Sequence, residues 1–144
     1  MKRMPFLVVI VALAFGSMAC PRAMAAPQAA NRYETAGIDD EASVGVFLRT
    51  LKTAVRHGDR KKVASLIAFP VIARVHGKSE QVKDAAQFVR WYPQIFNARV
   101  KKAVAKQNEK DLFVNWRGLM IGDGELWFGP AVKGARLTIF AINN

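Results

Sequence analysis

Leu112-Phe-Val-Asn-Trp-Arg-Gly-Leu-Met-Ile-Gly-Asp-Gly-Glu-Leu-Trp-Phe128 is the stretch that decides the fold. Leu112 to Ile121 is long enough for a full strand. Gly122-Asp123-Gly124 is a hairpin turn, because glycine and aspartate tolerate positive φ. Glu125 to Phe128 then returns antiparallel. Beyond it, Gly129-Pro130 and Lys133-Gly134 mark a second turn region, and Leu137 to Ile142 supplies a last strand. The C-terminal third therefore reads as antiparallel sheet.

Upstream the period changes from two to about 3.6. Val44, Phe47, Leu48, Leu51, Ala54 and Val55 form one apolar stripe, capped at the start by Asp40 or Ser43 and stopped by Gly58, with Arg56 and His57 in the last turn. Asp59 opens a short second helix with Val63, Leu66 and Ile67 inside. Residues 71–76 read as a strand closed by Gly77-Lys78, with Val71, Ala73 and Val75 on one face and Ile72, Arg74 and His76 on the other. Asp84 caps a third helix (Ala85, Phe88, Val89, Tyr92) that Pro93 breaks or bends. Asn97 caps a fourth, with Val100, Ala103 and Val104 inside.

The N-terminus carries an address. Lys2 and Arg3 precede the apolar run Pro5 to Phe15, and Ala23-Met24-Ala25 offers an A-x-A cleavage site, the layout of a bacterial secretory signal peptide. The run is shorter than the roughly 20 residues that span a bilayer. Residues 1–25 are read as signal, 26–41 as a flexible leader and 42–144 as one domain. Export implies a periplasmic or secreted protein. The alternative is a lipoprotein anchored through Cys20, the sole cysteine; Ser17 and Pro21 around it fit that poorly, and membrane contact is expected only if Cys20 is lipidated. Cleavage after Ala25 leaves 119 residues without cysteine and takes the formal charge from +11 to +8. Outside the cytoplasm such a charge suits headgroups, wall polymers or acidic proteins, and nucleic acid is not expected.

The order helix, helix, strand, helix, helix, three strands is an α+β pattern. By this order of elements it resembles the NTF2-like (cystatin-like) superfamily, in which a long first helix packs across a curved antiparallel sheet to form a cone. The resemblance covers about residues 42–142. The helical middle, Asp84 to Gln107, is longer than the two short helices typical of that fold. The resemblance implies a pocket between helices and sheet, a homodimer through the outer sheet face, and, in the enzymes of the class, an acid or a His–Asp pair inside the cone.

Arg74, His76, Trp91, Tyr92, Phe96, Trp116, Met120 and Trp127 are the expected lining of such a pocket. A basic face is expected from Arg56, Arg60, Lys61 and Lys62 and from Arg99, Lys101, Lys102, Lys106 and Lys110, with Arg90 nearby. The sequence carries no H-E-x-x-H, G-x-S-x-G, P-loop or EF-hand pattern, and no metal or cofactor is expected. The reading that follows is an exported, non-catalytic binding protein. It would hold a small apolar or amphipathic ligand in the pocket, or dock an anionic envelope partner on the basic face. The first alternative is a periplasmic inhibitor or immunity protein acting through Gly122, Asp123, Gly124 and Glu125, with Glu125 pairing Arg117 across the hairpin. The second is a small hydrolase or isomerase using His76 with a carboxylate.

Overall fold

A computed structural model describes residues 30–144. The expected signal peptide, Cys20 and the first residues of the expected leader lie outside these residues. The class is α+β. α1 (Glu41–Arg56) starts where the Asp40 carboxylate accepts the Ala42 N–H, and buries Val44, Phe47, Leu48, Leu51 and Ala54. α2 (Arg60–Ala64) is capped by Asp59, α3 (Ala85–Ile95) by Asp84 and α4 (Ala98–Lys106) by Asn97. Each cap satisfies an N–H that the helix itself leaves free.

The chain departs from the sequence reading in several places. α3 runs two residues past Pro93; a proline in the last turn forfeits a single backbone bond, and Phe88, Tyr92 and Ile95 hold the face inside. Lys78–Val82 forms a strand, β2, paired antiparallel with β1 (Val71–Val75). The expected strand 112–121 is two strands, β3 (Phe113–Asn115) and β4 (Gly118–Ile121), with a turn between them in which Asn115 Oδ1 accepts the Arg117 N–H at 2.8 Å. Part of the expected leader is docked: Tyr33, Ala36 and Ile38 are buried, and Arg32 donates to the Leu112 carbonyl at 2.7 Å.

β3, β4, β5 (Leu126–Pro130) and β6 (Leu137–Ile142) form one antiparallel sheet in chain order, with the β1–β2 hairpin as a separate two-stranded sheet. Gly129-Pro130 lies within β5, so only Lys133-Gly134 of the second expected turn region is a turn. The hairpin joins the sheet end through the Asn144 side chain, which accepts from the Arg74 N–H and donates to the Arg74 carbonyl, both at 2.7 Å. α1 lies on the inner sheet face, where Phe47 stacks on Phe128 with ring centroids 4.6 Å apart. Leu119, Ile121, Leu126 and Ile139 complete that layer. A second aromatic group, Phe88 with Tyr92, Phe96 and Phe69, fills the space beneath α3. Side chains thus occupy the region between helices and sheet.

Candidate functional site

The outer sheet face is built by the pairing register. Phe113 lies opposite Met120, Met120 opposite Trp127, and Trp127 opposite Ala141. Directly paired residues share a face, so these four make one row across all four strands, pointing away from α1. The Phe113 and Trp127 rings meet edge to face at 6.3 Å. Arg117 bridges two indoles, its guanidinium carbon 6.0 Å from the Trp116 ring and 5.9 Å from that of Trp127. The same turn that splits β3 from β4 lifts Trp116 out, leaving it 79% exposed.

Phe140 extends this surface. The β5–β6 register slips between Trp127 and Phe128, so Phe140 is an extra residue on β6. Its ring covers Gly118 and Gly129; a Cβ at Gly118 would meet Phe140 Cε1 at 3.1 Å and the Phe128 carbonyl at 2.6 Å. Glycine at 118 therefore admits a ring from β6, the next strand but one, reaching across β5. Phe113 and Phe140 are 52% and 37% exposed, so aromatic rings are uncovered from one edge of the sheet to the other.

The residues expected to line one pocket separate into three places. Tyr92 and Phe96 are core, stacked on one another at 5.3 Å, and Trp91 is half-buried at the edge of the core. Trp116, Met120 and Trp127 belong to the outer face. Arg74 and His76 sit on the exposed hairpin. Arg74 lines an open cleft of about 580 Å3 between β1 and β6, with Ile72, Arg99, Phe140, Asn143 and Asn144.

The basic residues also divide. Arg60 and Lys101 lie 5.6 and 5.5 Å from the centroid of the same Tyr92 ring, joining the two basic clusters of the sequence. Lys101 and Arg56 flank a groove of about 350 Å3 with Lys52, Val55, Val104 and Ala105. Lys61 and Lys62 project from α2. Arg99, Lys102 and Lys106 line a different groove, of about 780 Å3, shared with Asp111, Asp123 and Glu125. The Tyr92 hydroxyl is buried with no hydrogen-bond partner among the described residues; burial raises its pKa, against the opposing charge of Arg60.

His76 takes a positive φ of 52° at an exposed turn, and its Nε2 lies 3.4 Å from Gln94 Nε2; among the described residues no carboxylate pairs with it. The Glu125 carboxylate is buried and pairs with Arg99 at 2.9 Å, not with Arg117, while its other oxygen accepts the Asp123 N–H at 2.7 Å. Half of the expected inhibitory loop is thereby occupied in holding the turn. Among the described residues no three His, Cys, Asp or Glu side chains gather as a metal site, and no helix is long and apolar enough to cross a membrane. The chain matches no protein-family model, no curated protein and no solved structure.

Proposed function

We propose that this chain is an exported, non-catalytic binding protein whose partner docks on the outer face of the four-stranded sheet. One observation carries the reading: the exposed Phe113, Trp116 and Phe140 and the half-buried Trp127 form an aromatic surface, with Arg117 over both indoles. Tryptophan, methionine, phenylalanine and arginine are the residue types enriched at interface centres, and contiguous apolar exposure marks interaction sites on soluble domains. Aromatic anchors carry much binding energy for little conformational entropy. The fitting partner is a protein with an apolar patch and a carboxylate for Arg117. A second copy of the chain is one such partner, in line with the NTF2-like resemblance.

The test is gentle purification of the mature protein from its own envelope fraction, followed by native mass spectrometry. Wild type should retain a partner or a second copy that the Phe113→Ala/Trp116→Ala variant loses at unchanged Tm. A bare monomer from both would contradict the proposal.

A further inference from the structure

α1 and α4 each offer a triplet at spacing i, i+3, i+4 to the groove between them. These are Lys52, Val55 and Arg56 from α1, and Lys101, Val104 and Ala105 from α4. Such triplets share one helix face. The floor is apolar, and Val104 is fully buried. The rim is cationic at both ends. Lys52 Nζ donates to the Gln107 carbonyl at 2.9 Å, which places it by the C-terminus of α4. Lys101 lies one turn in from the N-terminus of α4 and shares the Tyr92 ring with Arg60, so those two cations are no farther apart than their two ring distances together. Among the described residues no carboxylate comes within ion-pair distance of Lys52, Arg56, Arg60 or Lys101.

We infer that this groove binds one free amphiphile: a single alkyl chain along Val55, Val104 and Ala105, with a compact anionic head, phosphate or carboxylate, held at Arg56 and Lys101. Apolar floor and uncompensated cations together select an occupant with both parts; a polyanion leaves the floor wet, and a neutral chain leaves the cations unused. The occupant is a single molecule and not a bilayer surface. A membrane-docking face needs protruding apolar side chains, whereas here Val104 is fully buried, Val55 is half-buried and the exposed Ala105 offers only a methyl group. None of the large hydrophobic residues exposed among the described residues (Val46, Ile72, Phe113, Trp116, Val132, Phe140) lines the groove. The site lies in the helical layer and does not depend on the sheet-face reading.

The experiment is titration of the mature protein with dodecyl phosphate and with dodecanoate, each below its micelle concentration, followed by backbone amide shifts. Saturation at one molecule per chain is expected, with the largest shifts in residues 52–56 and 101–105; whichever head binds more tightly names the source. Inorganic phosphate and dodecyl maltoside should each bind about tenfold more weakly or worse. The Arg56→Gln/Lys101→Gln variant should lose about tenfold in affinity, and Lys61→Gln/Lys62→Gln, with the same loss of charge, should not. The inference is overturned by equal binding of inorganic phosphate or dodecyl maltoside, by indifference to the Arg56/Lys101 change, by the absence of saturable binding, or by binding to phosphatidylglycerol vesicles alone.

Discussion

Arg99 on α4 donates from Nε to Glu125 Oε1 at 2.9 Å, and that pair, with the Gly122 N–H donating to Gln107 Oε1 at 2.8 Å, ties the fourth helix to the β4–β5 turn. The same guanidinium reaches the Asn143 carbonyl at 3.2 Å, while the Asn143 N–H donates to the Glu125 carbonyl at 2.8 Å. Burial pushes the Glu125 carboxyl up, but the N–H of Glu125 itself, the Arg99 guanidinium and the Asp123 N–H outweigh it, so the group titrates below its ordinary 4.5. A depressed folded-state pKa adds stability above the unfolded value, and that stability is lost as pH falls through the folded one. At pH 7 Glu125→Gln should cost about 1–3 kcal/mol. On acidification below 4.5 wild type should lose that advantage and approach the variant. Urea denaturation at neutral and acid pH checks this; a gap between the two proteins that stays constant with pH would contradict it.

Gly122→Ala should destabilise by about 2 kcal/mol or more. Gly122 has φ 67°, and an added Cβ would strike the Glu125 carboxylate and come within 2.8 Å of the Ala103 Cβ. Gly134→Ala has a similar φ of 77° but open space around it, and should cost about 1 kcal/mol. Equal losses in thermal denaturation would mean that the carboxylate can move aside freely.

The aromatics divide into structural and available sets, and stability separates them. Phe128→Ala removes a fully buried ring stacked on Phe47 and should cost about 3–5 kcal/mol. Trp116→Ala should stay within about 0.5 kcal/mol of wild type. A large loss at Trp116 would give that ring a structural role and weaken the case for docking.

Tyr92→Phe deletes a buried hydroxyl that has no partner among the described residues. The variant should be as stable as wild type or more so by up to about 1 kcal/mol, since an unsatisfied buried polar group is a cost. A clear loss would reveal an acceptor bound there. Calorimetry of the two proteins decides.

Local chemistry was legible in the sequence where it is self-contained. Asp40, Asp59, Asp84 and Asn97 were readable as caps because each acts on an N–H two or three residues ahead. β2 was missed because four of its five residues are exposed and polar, so it has no alternation to read. The β3–β4 break was missed because the alternation of apolar and polar residues runs on through Val114-Asn115-Trp116-Arg117; its signal is Asn115 three residues before Gly118, a turn pattern. The site suffered from a related ambiguity. Leu119, Met120 and Ile121 are all apolar, so period two separates the faces without saying which is inside. Only the stacking of Phe47 on Phe128 decides that Met120 and Trp127 point out.

The central claim is that the face around Trp116 is covered in the cell. The most direct measurement places a photo-crosslinking amino acid at position 116, and for comparison at the exposed Lys133, in the protein expressed in its own host. A discrete adduct at 116 and none at 133, lost when Phe113 and Trp127 are also changed to alanine, is the predicted result. No adduct at 116, or the same adducts at both positions, would contradict the account.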